Sequence, residues 1–306
     1  MHILGVRIDP ISQNGAYERA LAFLNSDTSH AIFTPNPEML VKAQTDSYFK
    51  EVLNSSDLNL CDGMGLWLAM KFSKQKIVSS KQFERIPGTD FMFDLCLLAE
   101  EQGISVYLLG SGSEEVVKKT AECLQKQFPK LKIVGYDKGH VIEERSKRNT
   151  PSSVLPLKAG RERDEPELLA LSPTLGERHR EGYFPRTEEL NSGLIIDEKI
   201  NNETILRINA AQPTILFVAF GMGKQEKWIY ENLPKLPSVK IFMGVGGAFD
   251  YISGTLPRAP LLMRKIGLEW VYRLFKQPKR FGRIFNATIK FGYLFLRYGK
   301  KNSATR

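Results

Sequence analysis

The sequence predicts an α/β fold: a Rossmann-like parallel sheet with helices on both faces, followed by a basic amphipathic helical appendage at the C-terminus. Three observations predict it. Short β-rich apolar runs alternate with helical patterns, glycine-containing turns follow several of these runs, and basic residues concentrate near the end of the chain. Because the carboxyl ends of parallel strands meet at one edge of a sheet, polar residues that follow the strands are candidates for a site.

The predicted elements alternate along the chain in the order that a parallel sheet requires. The predicted strands are 31–34, 58–61, 104–110, 131–136, 214–221 and 239–247. The predicted helices are 38–53, 65–71, 88–102, 114–128 and 224–233. Residues 140–193 break the pattern with five prolines, nine basic and ten acidic residues, which predicts a flexible insertion, either a solvated loop or a functional lid.

Composition excludes several classes of protein. The chain has 306 residues, 42% apolar and 25% charged, so it can bury a sizeable core and is neither disordered nor of low complexity. Cys61, Cys96 and Cys123 have no metal-ligand spacing and are predicted to be reduced core residues. The four histidines fit no metal or catalytic spacing. We expect neither a secretory signal nor a membrane span.

The net charge of +9 is distributed unevenly along the chain. From Arg264 onward, twelve Lys and Arg stand against one acid, Glu269, so that the tail carries +11 and the rest of the chain −2. We therefore expect two parts: a core at 1–263 and an appendage at 264–306. A basic appendage on a nearly neutral body indicates a polyanionic partner, either nucleic acid or an anionic membrane.

Polar residues follow the first two predicted strands. Asp62 stands beside Gly63 after the second strand, and a carboxylate there is either a general base or the cap of the next helix. Thr34 and Asn36 alternate with prolines after the first strand. They either bind sugar hydroxyls or cap the helix that follows.

Two glycine-rich turns connect later strands to helices. Gly110 and Gly112 lie in the first, where free N–H groups suit a phosphate but two acids follow immediately. The second runs from Gly221 to Glu226, and its Lys224 and Gln225 suit a pyrophosphate and a sugar. No Asp-x-Asp pair occurs, so we expect arginine, lysine and helix ends, rather than a metal, to meet phosphate charge.

The end of the chain has the pattern of a basic amphipathic helix after Pro278. At 100° per residue, one arc contains Phe281, Ile284, Phe285, Thr288, Gly292, Phe295 and Leu296. Arg283, Lys290 and Arg297 fall opposite. This pattern fits attachment to an anionic membrane, and it also fits a terminal helix packed on the core. Nucleic acid is disfavoured, because the aromatic residues lie with the aliphatic ones rather than among the basic ones.

Taken in order, these motifs resemble the WecG/TagA/CpsF glycosyltransferases of bacterial surface-polymer synthesis. The matching segments are TPNPEML, DGMGL, RIPGTD, LLGSG, AFGMGKQEKWI, GVGGAFDYISG, RAP and LEWVYRLFKQPKRFGR. They cover nearly all of the chain outside 140–193. The resemblance implies an inverting, metal-independent transfer of a sugar, commonly of the N-acetylmannosamine type, from a UDP-sugar to a polyprenyl-diphosphate-linked acceptor in surface polysaccharide or teichoic acid synthesis.

The resemblance also implies roles for individual residues. Asp62 deprotonates the acceptor hydroxyl, and Thr34 and Asn36 position the reacting sugars. Arg85 and Gln225 act on the diphosphate or the donor sugar. The glycine turns, with their residues Gly110, Gly112, Gly221, Lys224 and Glu226, are expected to hold the donor. The expected contacts to membrane or acceptor come from Arg258, Arg273, Arg280 and Arg283.

The implied location is cytoplasmic and peripheral, on the inner face of the cell membrane. Homo-oligomer formation and membrane docking are expected to compete for the appendage. One departure from the family is Gly223, which stands where the family usually has proline, and the insertion at 140–193 is another. The alternative hypothesis is a nucleotide- or phosphate-backbone-binding protein that uses the basic tail. An oxidoreductase on the same fold is weakened by the missing dinucleotide fingerprint.

Overall fold

The computed structural model describes residues 1–73, 83–140, 142–144, 194–265, 267–276 and 281–298. Most of the predicted insertion, and Arg280, lie outside the described residues. For Arg273 and Arg283 only the helical backbone is described.

Strands and helices alternate, as predicted. The strands are β1 His2–Ile3, β2 Val6–Arg7, β3 His30–Phe33, β4 Leu58–Asn59, β5 Ser105–Gly110, β6 Lys132–Asp137, β7 Glu143–Glu144, β8 Leu194–Ile195, β9 Ile215–Ala219 and β10 Ile241–Gly244. The first helices are α1 Gln13–Leu24, α2 Pro37–Lys42, α3 Ser47–Ser55, α4 Met64–Phe72, α5 Gly88–Gln102 and α6 Glu114–Gln127. The later ones are α7 Glu198–Ala211, α8 Lys224–Asn232, α9 Ala248–Ile252, α10 Leu261–Lys265, α11 Glu269–Lys276, α12 Phe281–Phe285 and α13 Phe291–Tyr298.

A six-stranded parallel sheet forms the centre, in the order β4-β3-β10-β9-β5-β6. The strand β5 continues through α6 to β6 on one side, whereas β9 continues through α8 to β10 on the other. Neighbouring strands with opposite continuations open a crevice between the loops at their carboxyl ends. The two glycine-rich turns, after β5 and β9, flank this crevice.

Apolar side chains cover both faces of the sheet. One core packs α3, α4 and α8 against the sheet around Phe49, Met70 and Trp228. The other packs α1, α5 and α6 around Phe23 and Phe91. Strands that are buried on both faces and have few polar residues are typical of parallel sheets. The predicted fold class is confirmed.

Two details differ from the sequence prediction. The helix predicted over 38–53 is two helices, because the side chain of Asp46 accepts a hydrogen bond from Phe49 N–H at 2.9 Å and caps a new helix. The helices α1 and α7 were not predicted. The hairpin of β7 and β8 lies at the ends of the predicted insertion.

The C-terminal segment is helical on both sides of Pro278, as predicted, but its phase differs. A π-helical turn over Asn286–Lys290 joins α12 to α13 and rotates the later residues relative to even 100° spacing. Phe291 is the side chain that becomes buried, at 4% exposure, and the π turn and α13 contact α2. Phe281 and Phe285 remain exposed. The predicted arc is therefore divided at the π turn: Thr288, Gly292, Phe295 and Leu296 line one surface together with Phe291, whereas Phe281 and Phe285 do not.

Candidate active site

A groove of about 780 Å³ opens between α4 and the C-terminal helices. It begins at the loops that follow β3 and β4, where Asn36, Asp62 and Arg85 line it. Side chains of α4, α11 and α13 form the remaining wall. At this end Gly267, with φ +77°, packs so closely on Met64 that a Cβ atom would lie 2.6 Å from Met64 Cε. The C-terminal segment thus forms one side of the groove.

Asp62 lies at the head of the groove and is half-buried. Its backbone N–H donates to the carbonyl of Pro35 at 3.0 Å, which ties the loop after β4 to the loop after β3. The helix α4 begins at Met64 with Gly63 as its N-cap residue, and this glycine has no side chain to cap it. Gly63, and not Asp62, therefore occupies the N-cap position of the helix.

Arg85 lines the same groove as Asp62. The N–H of Ile86 donates to the carbonyl of Cys61 at 2.9 Å, which aligns the segment containing Arg85 with the end of β4. Burial raises the pKa of the Cys61 thiol, the charge of Asp62 raises it further, and Arg85 lowers it. The charges of Asp62 and Arg85 therefore both act on the Cys61 thiol. Arg85 Nη2 also donates to the Arg264 carbonyl at 2.9 Å, and this contact fixes the guanidinium against the C-terminal segment.

Further arginines gather behind Arg85. Arg258 Nη2 lies 2.5 Å from Asp90 Oδ1, and Arg264 Nη1 lies 4.0 Å from the same oxygen. The Nε atoms of Arg258 and Arg264 are buried and have no hydrogen-bond partner among the described residues. One carboxylate thus faces two guanidinium groups, which leaves an excess of positive charge at this point. Arg258 was expected to lie with the appendage. The structure places it before α10 and pairs it with the first turn of α5.

Asn36 has the structural role that the sequence left open. Its Oδ1 accepts a hydrogen bond from Met39 N–H at 3.1 Å and caps α2, while the residue also lines the groove. Thr34 packs against the start of α5. A Cβ atom on Gly88 would lie 3.0 Å from Thr34 Oγ1, so this threonine and the RIPGTD segment fit closely together.

Gln225 and Glu226, at the start of the helix after β9, form a buried network. Gln225 Oε1 accepts from Gly246 N–H at 2.9 Å, and its Nε2 donates to Glu226 Oε1 at 2.7 Å. Glu226 Oε2 accepts from Gly223 N–H at 2.7 Å. Burial raises the pKa of Glu226 to about 7, against the opposing effect of these hydrogen bonds. The network joins the loops that follow β9 and β10.

The two glycine-rich turns differ in the N–H groups and the space that they leave for a ligand. In the first, Ser111 N–H donates to Ala219 C=O and Gly112 N–H to Lys138 C=O, both at 3.0 Å. The Gly112 N–H, one of the predicted phosphate donors, is therefore already bonded within the protein, and so is the N–H of Ser111. In the second, Gly221 has φ +86° and open space around it. Lys224 is half-buried beside it.

The structure brings only some of the predicted residues together. Asp62, Arg85 and Asn36 share the groove, with Thr34 at its edge. Gly221 and Lys224 follow β9, three strands from β4, which corresponds to about 14 Å at ordinary strand spacing. Glu226 is a buried cap residue rather than a surface group. The sequence analysis did not identify Asp90. It also did not identify the groove residues Leu68, Phe72 and Trp270, whose only signal in the sequence is the apolar spacing along their helices.

Comparison with known families decides the class of protein. The sequence model of the glycosyl transferase WecG/TagA/CpsF family matches residues 1–154 and 176–305. The chain belongs to this family. It is therefore a glycosyltransferase, as the motifs predicted, and the match includes the C-terminal helices that complete the groove.

This WecG/TagA/CpsF glycosyltransferase is similar to proteins named N-acetylglucosaminyldiphosphoundecaprenol N-acetyl-beta-D-mannosaminyltransferase. Three of these come from Staphylococcus aureus strains MW2, NCTC 8325 / PS 47 and COL. Each is 27% identical over 285 residues, which span 92% of this chain and 87% of the relative. The names describe transfer of a mannosaminyl group to a lipid-linked N-acetylglucosamine.

No helix among the described residues has both the length and the apolar character needed to cross a membrane. Nor does the described part of the chain bring three or more His, Cys, Asp or Glu side chains together in a metal-binding cluster. The expectation of metal-independent transfer stays a prediction.

Proposed function

We propose that this glycosyltransferase moves an N-acetylmannosamine-type sugar from a UDP-sugar to a sugar on a polyprenyl diphosphate, with inversion and without a metal. The observation that carries the proposal is that Asp62 and Arg85 line the same end of an otherwise largely apolar groove. A carboxylate next to a guanidinium suits a sugar hydroxyl and a diphosphate, and apolar walls suit a lipid. The relatives' names support the choice of sugar and acceptor.

Asp62 is the proposed general base. Its carboxylate takes the proton from the acceptor hydroxyl as that oxygen attacks the anomeric carbon of the donor sugar. The bond from the anomeric carbon to the diphosphate oxygen breaks, and UDP leaves with the electron pair. Attack on the face opposite the leaving group inverts the configuration. General-base assistance of this kind contributes about 10²- to 10⁴-fold to the rate.

Arginines are proposed to carry the phosphate charge. Arg85 is fixed by the Arg264 carbonyl, and the neighbouring Arg258 and Arg264 share the one carboxylate of Asp90, so that positive charge is in excess there. Preorganised donors stabilise a developing negative charge without reorganisation during the reaction. Lys224 and the open turn at Gly221 are proposed to hold the UDP portion. Gln225 acts there through the loop at Gly246, which it holds in place.

The proposed location is the inner face of the cell membrane, where the appendage meets anionic lipid. Exposed apolar side chains support this, among them Leu262, Phe275 and Phe281, together with the excess of basic residues after Arg264. Competition between membrane docking and homo-oligomer formation stays a prediction from the resemblance. Nucleic acid is not an expected partner.

UDP release tests the proposal directly. A panel of UDP-sugars is incubated with the full chain, with and without a short-chain polyprenyl-diphosphate-linked N-acetylglucosamine. We expect release that depends on the acceptor and occurs with one donor. Release from no donor with any acceptor, by a folded protein, would overturn the proposal and favour a nucleotide-binding role.

Two further measurements separate the finer parts of the proposal. The anomeric configuration of the isolated product, determined by NMR, must be opposite to that of the donor. Activity must also survive EDTA and gain nothing from added Mg²⁺ or Mn²⁺. Retention of configuration or loss of activity in EDTA would contradict inversion or metal independence respectively, while leaving the transfer itself intact.

A further inference from the structure

The groove extends well beyond the catalytic residues. Along α4, Met64, Gly65, Leu68, Ala69 and Phe72 line it, and this spacing puts them on one helical face. From Met64 to Phe72 the helix advances about 12 Å. On the opposite wall the C-terminal helices contribute a second stripe at helical spacing, formed by Thr288, Phe291, Gly292, Phe295 and Leu296. Two apolar stripes therefore face each other and lead away from Asp62.

Apolar side chains along this groove are exposed. Phe72 is 76% exposed, Leu296 68% and Leu68 40%, although all three line one concave surface. A protein does not gain stability by leaving such side chains in water. A contiguous concave apolar surface indicates a ligand.

Charge identifies what kind of ligand fits. The charged residues lining the groove, among those described, are Glu38, Asp62, Arg85 and Glu269. Arg85 stands at the head, and Glu38 and Glu269 each interact with another group. No lysine or arginine lines the apolar stretch itself. A neutral hydrocarbon chain suits this part of the groove, whereas the anionic headgroup of a membrane lipid does not.

We propose that the groove between α4 and α13 binds the first isoprene units of the acceptor's lipid chain, next to the diphosphate. This inference rests on the proposed function, because the sugar must reach Asp62 and the diphosphate must reach Arg85. The chain then leaves between Leu68 and Phe72 on one wall and Phe295 and Leu296 on the other. The enzyme thereby recognises the lipid itself, and does so separately from the membrane surface.

Two glycines provide a matched pair of variants. A Cβ atom on Gly292 or on Gly282 would meet nothing within 4 Å, so both positions accept a larger side chain. Gly292 lines the groove, whereas Gly282 lies on α12 and does not. Gly292→Leu fills the groove, and Gly282→Leu adds the same apolar side chain elsewhere on the C-terminal helices. General apolarity and attraction to membranes change equally in the two variants.

The experiment compares two acceptors with the same sugar diphosphate, one on a long prenyl chain and one on a short alkyl chain. We expect the wild-type enzyme to prefer the prenyl acceptor. Gly292→Leu displaces the lipid from the groove, and Phe72→Ser removes an apolar contact with it. Each should reduce the ratio of kcat/KM values by about tenfold, the size of effect expected when apolar surface equal to one side chain is no longer buried. Gly282→Leu should leave the ratio unchanged. Equal ratios in all four proteins would overturn the inference.

Trp270 gives a readout that does not depend on turnover, because its indole lines the groove. Farnesyl diphosphate, which carries no sugar, should change Trp270 fluorescence saturably in the wild type and in Gly282→Leu. The change should be lost in Trp270→Phe and weakened about tenfold in Gly292→Leu. Transfer without this change would overturn the inference and leave the proposed function standing. The fluorescence change without transfer from any donor would overturn the proposed function and leave the groove as a binding site for a prenyl chain.

Discussion

Ile86 donates its backbone N–H to the carbonyl of Cys61 over 2.9 Å. Because of this bond, the segment that contains Arg85 runs beside the end of β4, and Arg85 and Asp62 line the same groove. The two residues are far apart in the sequence and belong to different loops. The chemistry at the head of the groove therefore depends on a backbone contact that no motif specifies.

Replacing Asp62 by Asn should reduce kcat at least about 100-fold, since the amide cannot accept the acceptor's proton. Asp62 is half-buried and the N-cap position of α4 is held by Gly63, so the melting temperature should stay close to that of the wild type. Asp27→Asn, at an exposed position, is the control and should retain full activity. Full activity in Asp62→Asn would remove Asp62 from the role of base.

Replacing Arg85 by Lys should lower kcat/KM about tenfold. Lysine keeps the charge, but it has no planar set of donors to bind the Arg264 carbonyl and a phosphate oxygen at the same time. Arg19→Lys, on α1 and away from the groove, is the matched control. Initial rates at varied acceptor concentration test this prediction, and equal values for Arg85→Lys and the wild type would contradict it.

Glu226 should make stability depend on pH. Its pKa is raised from 4.5 to about 7 in the folded protein, mainly by burial, so the folded state keeps a proton that the unfolded state has lost. Between these two values the free energy of unfolding falls as pH rises. The loss amounts to about 3 kcal/mol by pH 8. The charge of Lys42 acts in the opposite direction.

The variant Glu226→Gln should remove this slope. Urea unfolding at pH 5, 6, 7 and 8 measures it in both proteins. At pH 5 the variant should be less stable by about 1 kcal/mol, because the amide has one acceptor oxygen for the two N–H groups of Gly223 and Gln225. Parallel stability curves for the two proteins between pH 5 and 8 would show that Glu226 does not titrate there.

Gly110 and Gly112 should differ sharply on replacement by alanine. Both have positive φ, which costs an alanine about 1 kcal/mol. At Gly110 the Cβ atom would also lie 2.7 Å from the backbone carbon of Ala219, whereas at Gly112 it would meet nothing within 4 Å. We expect Gly110→Ala to lose more than about 3 kcal/mol of unfolding free energy. Gly112→Ala should lose about 1 kcal/mol, as measured by urea unfolding. Similar losses would mean that β5 moves to accept the side chain.

The sequence was sufficient to predict the parallel sheet and the position of Asp62 after one of its strands. Buried parallel strands are continuous apolar runs, and polar residues follow their ends. It could not give the phase of the C-terminal helices, since the π turn at Asn286–Lys290 depends on how α13 packs on α2. It also could not pair Arg258 with Asp90, 168 positions apart. Contacts between distant segments depend on the assembled fold.

Lysines of the C-terminal helices should determine binding to anionic membranes. Lys276 and Lys290 are exposed, and each contributes about 1 kcal/mol near an anionic leaflet. Substitution of both by Gln should therefore weaken co-sedimentation with phosphatidylglycerol vesicles by about thirtyfold.

Truncation at residue 263 is a poorer test, because Phe291 is buried and its removal would expose core residues. The pair Lys118→Gln and Lys126→Gln on α6 removes the same charge from another surface and should leave vesicle binding nearly unchanged. Equal losses in the two double variants would mean that net charge, and not the C-terminal helices, controls attachment.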